Sequence, residues 1–333
     1  MEKHITVVDP FCGRGTTNFA ARLLGLNTVA MDSSPVATAI TAAKLVQIRP
    51  HHIVHEAERI LKEHARVSRP VGEFWELAYD KRVLTELCRL RNALMERCDT
   101  PSRLALRGVV LGALHGPVQR TKASYFSNQS PRTYAPKPAY AVKFWRQRNL
   151  LPPAVSVIEV IKSRAERFYD TALPSIGFTV HQGDSRSGMQ LNKLKKIDSW
   201  TITSPPYYGM RTYIPDQWLR NWFVGGSAKV DYSNDHQLSH ESPESFSEQL
   251  GQVWTNVANL ATRGSRLTIR FGGISDRSAS PKEVIRESLL GRDWEIQTIK
   301  SAGHASDGRR QANGFLKVSS TPIEEYDVWA QRC

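Results

Sequence analysis

The chain has 333 residues and a formal net charge of +13; 40% of its residues are hydrophobic and 23% are charged. This composition is typical of a globular protein and excludes disordered, collagen-like and coiled-coil chains, and the length suits one large domain with an insertion or two modest domains. No apolar run approaches the ~18 residues of a membrane span, and the N-terminal segment lacks the basic start and apolar core of a secretory signal, so we expect a cytoplasmic protein.

The N-terminal region alternates between strand and helix patterns. A strand is predicted over 4–9 and a helix over 16–24, with a glycine-containing turn between them. A second strand over 28–31 ends at Asp32, and a second helix follows over 35–45. This β-α-β-α order is the opening of a parallel sheet.

The middle of the chain, residues 48–173, shows a helical pattern interrupted by prolines and no strand alternation. Strands are predicted again over 178–182, 199–203, 266–271, 294–300 and 326–330, and helices over 244–260 and 281–290. We therefore predict one α/β domain formed by 1–47 and 174–333, into which 48–173 is inserted as a mostly helical region.

Basic charge is concentrated in this insertion. Residues 101–150 contain nine Lys or Arg and no Asp or Glu, and six aromatic residues lie among them. Cations neutralise phosphates and rings stack on bases, so this composition predicts a nucleic-acid-binding face. A solvated basic surface over a small aromatic core explains the same composition equally well.

Cysteine and histidine patterns point to no metal or disulfide chemistry. The chain has four cysteines, too few and too unevenly spaced for a disulfide framework or a zinc site, and we expect reduced thiols. The ten histidines show no metal-ligand spacing, so no metal site is predicted.

A glycine-bearing turn joins the first strand to the first helix. Residues 9–17 read Asp-Pro-Phe-Cys-Gly-Arg-Gly-Thr-Thr, and glycines there let the backbone bend sharply and approach a ligand at a helix N-terminus. Asp32 lies 19 residues beyond Gly13 and can accept hydrogen bonds from both ribose hydroxyls of an adenosine-type cofactor. The alternative is a turn whose glycines serve packing alone.

Two features of this turn disfavour a dinucleotide. Asn18 stands where the third glycine of the dinucleotide pattern would be, and Asp9 at the strand end would repel a phosphate. S-adenosylmethionine carries a sulfonium and an ammonium but no phosphate, and it fits this charge. The candidate cofactor-binding residues are Asp9, Pro10, Phe11, Cys12, Gly13, Gly15, Thr16, Thr17, Asp32 and Ser33.

A second motif follows the predicted strand 199–203. Residues 203–209 read Thr-Ser-Pro-Pro-Tyr-Tyr-Gly, at the carboxyl end of a strand, where active sites of such sheets lie. Together, DPFCGRGTT and TSPPYYG resemble the cofactor motif and the catalytic tetrad of the amino-methylating DNA methyltransferases. The resemblance implies a Rossmann-like, seven-stranded methyltransferase sheet with both motifs on neighbouring strands, and Asp184 is similar to an acidic residue that contacts the cofactor's adenine.

The resemblance makes Ser204, Pro205, Pro206 and Tyr207 the catalytic tetrad. An exocyclic base amine is a poor nucleophile, and hydrogen bonds to the Ser204 hydroxyl and a backbone carbonyl such as that of Pro205 would align its lone pair with the sulfonium methyl. Tyr207 would stack on a base flipped out of the duplex. Within the family the serine favours cytosine N4 over adenine N6.

The partner implied by the resemblance is double-stranded DNA, in a restriction-modification system of prokaryotic or phage type. A cognate restriction enzyme is a further partner that the sequence leaves open. The candidate DNA-binding residues are Arg132, Lys137, Lys143, Arg146 and Arg211. An RNA guanine-amine methyltransferase and a catalytically silent nucleic-acid-binding subunit are the rival functions.

Two segments keep two interpretations each. In the family that the motifs resemble, a segment before the cofactor turn packs on the methionine end of the cofactor, but here only eight residues precede Asp9. Residues 131–138 are therefore a candidate to cover that end. The alternative is that they form a proline-rich connector. The region 209–226 either closes over a flipped base or contains a packed helix with Trp218 and Trp222 in a core.

Overall fold

The computed structural model describes residues 5–63, 66–116, 125–128, 137–187, 196–208, 217–230, 238–273, 279–304 and 324–333. Arg132, Arg211 and most of the segment 131–138 lie outside these residues. None of the described helices is long and apolar enough to cross a membrane.

One seven-stranded sheet organises the α/β part of the chain. Its strands are β1 (Thr6–Asp9), β2 (Asn27–Asp32), β3 (Phe178–Gln182), β4 (Ser199–Thr203), β5 (Arg266–Gly272), β6 (Trp294–His304) and β7 (Glu324–Arg332). The strand order is β3-β2-β1-β4-β5-β7-β6. The first five strands pair in parallel, whereas β7 is antiparallel to both β5 and β6.

Eleven helices are present in the described residues. They are α1 (Thr16–Leu23), α2 (Pro35–Leu45), α3 (Pro50–Glu63), α4 (Glu73–Ala78), α5 (Lys81–Glu96), α6 (Pro101–Ala113), α7 (Pro138–Arg146), α8 (Val157–Tyr169), α9 (Trp218–Phe223), α10 (Pro243–Leu260) and α11 (Pro281–Leu289). Side-chain caps mark several starts: the Asp80 carboxylate accepts hydrogen bonds from two backbone N–H groups at the start of α5, and Ser242 caps α10.

The predicted α/β fold class is confirmed, because the described residues form helices and one sheet of seven strands with both parallel and antiparallel pairs. The two motifs follow β1 and β4, which pair directly with Thr6 opposite Ser199, so their placement on neighbouring strands is also confirmed. Predicted strand and helix bounds differ from the observed ones by a few residues, and α4 was not predicted as a separate helix.

By internal contacts the chain divides into two units. The sheet unit comprises Met1–Thr41, Ile176–Thr212 and Asp235–Cys333, and the helical unit comprises Ala42–Ser175 and Tyr213–Asn234. Residues 213–234, which the predicted division assigned to the α/β domain, therefore group with the helices. The division at 47/48 and 173/174 stays a prediction.

The helical unit has an aromatic core that explains this grouping. Trp218 and Trp222 on α9 are 2% and 3% exposed. The Trp218 ring lies 4.8 Å from that of Phe74, and the Trp222 ring lies 4.7 Å from that of Trp75. The packed-helix interpretation of Trp218 and Trp222 is confirmed, because rings this deeply buried contribute core packing.

In the sheet unit, α10 and α11 cover one face of the sheet. Leu250, Trp254 and Val257 of α10 pack with Ile269 of β5 and Val328 of β7 in one buried cluster. Burial of large side chains at about 25 cal/mol per Å² is the main stabilising contribution here. This packing fixes the sheet whose carboxyl edge carries both motifs.

Candidate functional site

The candidate site lies where the strand order reverses. β1 stands between β2 and β4, so the chain leaves β1 toward one side of the sheet and later returns to the other side. Ligands of open α/β sheets bind at the carboxyl ends of the strands at such a switch point. The glycine turn follows β1 there, and Ser204 follows β4.

A short hydrogen bond joins the two motifs across the strands. The Thr203 hydroxyl donates to Asp9 Oδ1 at 2.6 Å, and the Phe11 backbone N–H donates to the same oxygen at 3.1 Å. Asp9 is only 3% exposed. Its carboxylate therefore ties the turn to β4, and a contact between Asp9 and a cofactor stays a prediction.

Burial dominates the electrostatics of Asp9. Removal from water disfavours the charged form and raises the pKa of the Asp9 carboxyl to about 6, although the bonds from Thr203, Phe11 and Thr17 lower it. The same cause raises the pKa of the Cys12 thiol to about 12. Cys12 is thus a buried thiol at neutral pH and not a nucleophile.

The turn itself is held by backbone bonds and by glycine. The Cys12 N–H donates to Met31 O at 3.0 Å, and the Gly15 N–H donates to Cys12 O at 2.7 Å. Gly15 has φ +67°, and a Cβ there would lie 2.7 Å from Thr41 Oγ1. Because that backbone conformation and that space both exclude a side chain, Gly15 is required by the turn.

Asp32 closes the turn from the end of β2. Its Oδ2 accepts from the Gly13 N–H at 2.9 Å, and its Oδ1 accepts from the Ser34 N–H at 2.9 Å. Burial raises the pKa of Asp32, and these two bonds lower it. Asp32 as a residue is partly exposed, and each carboxylate oxygen can accept more than one hydrogen bond, which suits the predicted ribose contact.

Asn18 has a packing role in place of the third glycine. It is fully buried, and its Nδ2 donates to Thr28 Oγ1 at 2.7 Å and to Val29 O at 3.3 Å. The amide therefore fastens α1 to β2. A glycine would allow close approach of helix and strand, whereas here a side chain fills the gap.

The segment after β3 also reaches the turn. The Ser185 hydroxyl donates to Pro10 O at 2.5 Å, and the Asn256 Nδ2 of α10 donates to Ser185 O at 2.8 Å. Both carboxylate oxygens of Asp184 accept from Arg186 Nε at 2.9 Å. The predicted contact of Asp184 with adenine must compete with this ion pair and stays a prediction.

The structure divides the predicted tetrad. Ser204 is exposed, whereas Pro205 and Tyr207 are buried. The Tyr207 phenol donates to Glu325 Oε1 of β7 at 2.6 Å, and its ring meets that of Phe271 edge-on at 5.5 Å. In this arrangement Tyr207 anchors the Ser-Pro-Pro turn to β7, and its predicted stacking on a base stays untested.

The remaining candidate cofactor-binding residues, in and beside the turn, differ in how exposed they are. Pro10 and Cys12 are buried, Phe11 and Thr17 are partly exposed, and the Phe11 ring lies 6.3 Å from that of Trp254. Thr16, at the start of α1, and Ser33, after β2, are exposed and accessible to a ligand.

The predicted DNA-binding residues that the structure describes lie on or beside α7. Lys137, Lys143 and Arg146 are exposed, and Arg146 forms an ion pair with Glu73. Of the aromatic residues among them, Trp145 is 2% exposed and Tyr140 is 41% exposed. The basic segment therefore combines a core ring with an exposed one, and its contact with DNA stays a prediction.

Sequence reasoning missed the residues that support the site from a distance. Thr203, Ser185, Asn256 and Glu325 each bond to a predicted site residue or its loop. Thr203 and Ser185 had a local signal, since Thr203 directly precedes Ser204 and Ser185 directly follows Asp184. Among the described residues, no group of three or more His, Cys, Asp or Glu could hold a metal ion.

Comparison with known proteins gives a distant structural likeness only. No protein-family model matches the chain, and no curated protein is detectably similar to it in sequence. The rRNA methyltransferase AviRa from Streptomyces viridochromogenes is 12% identical with a TM-score of 0.34, over 100% of this chain and 78% of that one. A SAM-dependent methyltransferase from Methanosarcina mazei is 7% identical with a TM-score of 0.34, over 100% of this chain and 94% of that one.

A geranyl diphosphate methyltransferase, solved with GPP and sinefungin, is 8% identical with a TM-score of 0.35, over 100% of this chain and 74% of that one. Likenesses of this size assign neither substrate nor cofactor to the chain. Its own geometry defines the class: an α/β protein with a seven-stranded sheet, a glycine turn after β1 and an exposed serine after β4 at the same switch point.

Proposed function

We propose that the chain is an S-adenosylmethionine-dependent methyltransferase that modifies an exocyclic base amine in DNA, with cytosine N4 favoured. The observation that carries the proposal is the bond from Thr203 to Asp9. It fixes the glycine turn and the exposed Ser204 beside each other at the switch point, where a cofactor and a substrate would meet.

The residues of the turn fit this cofactor. Asp32 is a partly exposed residue at the end of β2, and its carboxylate is suited to ribose hydroxyls. A Cβ on Gly13 would meet nothing closer than 4.0 Å, so the backbone there is open to a ligand. Asp9 and Asp32 place two carboxyls next to the turn, which disfavours a phosphate. When bound, the cofactor would supply an electrophilic methyl group.

Ser204 and its turn would orient the amine. Ser204 is exposed and no hydrogen bond within the described part of the chain engages its hydroxyl, so the hydroxyl oxygen can accept a hydrogen bond from the amine. Pro205 and Pro206 restrict the backbone, and Tyr207 fastens it to Glu325. A hydroxyl held this way would direct the nitrogen lone pair without relying on solvent.

The first experiment is incubation of the purified chain with labelled S-adenosylmethionine and either mixed genomic DNA or total RNA. Nucleoside digestion and mass spectrometry then identify the modified base. N4-methylcytosine supports the proposal in full, and N6-methyladenine keeps the DNA enzyme but changes the base. Label in RNA alone, or bound cofactor without transfer, favours the two rival functions.

Paired variants test the assigned roles. Ser204→Ala is expected to lower methyl transfer at least tenfold and leave cofactor affinity unchanged, whereas Asp32→Ala is expected to weaken cofactor binding first. Ser175→Ala is the matched control, because Ser175 is also exposed but comes before β3 in the chain and belongs to neither motif. The reverse pattern, or equal effects of both serine variants, would contradict the assignment.

A further inference from the structure

The helical unit has a basic groove beside the start of α5. The groove is a shallow depression open to solvent, with a volume of about 710 Å³, and it is lined by Arg66, Val67, Arg69, Asp80, Lys81, Arg82, Thr85, Glu86 and Arg89. We call it the α5 groove. None of these residues belongs to the basic segment 101–150 that the sequence singled out.

Five cations and two carboxylates give the groove a net positive charge. The Asp80 carboxylate caps α5 by accepting from the N–H groups of Arg82 and Val83 at 2.8 and 3.3 Å. Glu86 lies among Arg82 and Arg89, whose charges oppose the rise in its pKa caused by burial. The Asp80 carboxylate is therefore engaged by its own helix, and the five cations of the lining outnumber its two carboxylates.

Several of the cations are held in place or exposed. Arg69 Nη1 donates to Lys81 O at 3.3 Å and to Thr85 Oγ1 at 3.5 Å, and Arg82 Nη2 donates to Val155 O at 3.4 Å. Arg66, Lys81 and Arg82 are exposed. Within the described residues, no carboxylate lies within 4.0 Å of the charged nitrogens of these three, unlike Arg146, which pairs with Glu73.

We infer that the α5 groove binds the phosphodiester backbone of a nucleic acid. Its lining has several cations and no aromatic ring, so it can neutralise phosphates but cannot stack bases. Contacts of this kind fix the position of a strand without reading its sequence. The inference rests on the proposed function for its partner, and it adds a contact surface that the sequence did not predict.

Two triple variants of equal charge change provide the test. One removes the exposed groove cations (Arg66→Gln, Lys81→Gln, Arg82→Gln), and the matched control removes three exposed cations of α3 and α8 that do not line the groove (Lys62→Gln, Lys162→Gln, Arg167→Gln). Binding of a fluorescein-labelled duplex DNA and of an RNA hairpin is measured by anisotropy over a range of salt concentrations. Circular dichroism checks that each variant folds.

The groove variant is expected to lose about 2.7 from the slope of log K against log salt on duplex DNA, because each phosphate contact contributes about 0.9. When salt is raised from about 50 to about 200 mM, the fold-loss in affinity should then be roughly 40 times smaller for the groove variant than for the wild type. The control variant should retain more of the wild-type slope. A larger loss on RNA than on DNA would identify RNA as the source of the phosphates.

Equal losses in both variants would overturn the inference, since they would reflect net charge alone. An unchanged slope in the groove variant, no nucleic-acid binding by the wild type, or loss only of binding to phosphatidylserine vesicles would overturn it as well. Methyl transfer by the wild type is measured in the same preparation. If the wild type transfers methyl groups but the groove variant keeps the wild-type salt slope, the inference about the groove is rejected and the proposed function stands.

Discussion

The stability of an Asp9→Asn variant relative to the wild type should increase as the pH rises. Burial raises the pKa of Asp9 from 3.8 to about 6, so the folded state holds its proton to higher pH than the unfolded state. Below the unfolded value both states are protonated and no cost arises; as the pH rises, the unfolded chain ionises first and stability falls until the folded group ionises too. An asparagine amide stays neutral throughout.

The size of the effect follows from the two pKa values. One pKa unit corresponds to ~1.36 kcal/mol, so the free-energy cost of Asp9 grows from about 0.5 kcal/mol near pH 4 to about 3 kcal/mol near pH 7.5. The stability of Asp9→Asn relative to the wild type should therefore rise by about 2.5 kcal/mol over this range. Any constant offset reflects only how well the amide replaces the acid.

Urea unfolding followed by circular dichroism gives the free energies at each pH, and hydrogen exchange of peptides from β1 and β4 restricts the readout to the sheet unit. Thr203→Val provides a second test. The Thr203 hydroxyl donates to Asp9 and lowers the pKa of its carboxyl, so removing the hydroxyl should make the free energy of unfolding depend more steeply on pH. A free-energy difference between Asp9→Asn and the wild type that stays flat with pH would refute the reasoning.

Two further predictions use matched pairs. Gly15 and Gly25 have φ of +67° and +71°, so Gly15→Ala and Gly25→Ala should each lower the free energy of unfolding by ~1–2 kcal/mol through backbone strain. Gly15→Ala should lower it by ~1–3 kcal/mol more, because its Cβ has no space. Equal melting temperatures of the two variants would contradict this. Tyr207→Phe removes a 2.6 Å bond to buried Glu325 and should cost ~1–3 kcal/mol, whereas Tyr326→Phe removes a partly exposed bond of equal length and should cost less, as urea unfolding of both variants would show.

The strands and the two motifs could be predicted because their signals are local, whereas the placement of the motifs on neighbouring strands was implied only by the resemblance to a methyltransferase family. Apolar runs and glycines around 4–32 define β1, the turn and β2, and the Ser-Pro-Pro-Tyr segment directly follows a strand pattern. These features depend on residues within one turn or one strand. Periodicity over so short a span is what a sequence displays most directly.

The supports of the site could not be predicted, because they depend on pairs far apart in the chain. Tyr207 meets Glu325 across 118 positions, and Thr203 meets Asp9 across 194. The pairing of Asp184 with Arg186 is local, but nothing in the sequence says that the ion pair forms. The resemblance predicts that the Tyr207 ring stacks on a base, whereas the hydrogen bond to Glu325 on β7 determines where the ring lies in the structure.

The way the two motifs are joined bears on how the site would work. Asp9 and Thr203 are both buried at the ends of paired strands, and their bond is internal to the sheet, so it does not depend on any loop. Ser204 directly follows this bond and remains exposed. A cofactor in the turn and an amine at Ser204 would therefore be aligned by the sheet before either binds, and preorganisation of this kind lowers a barrier by fixing orientation in advance.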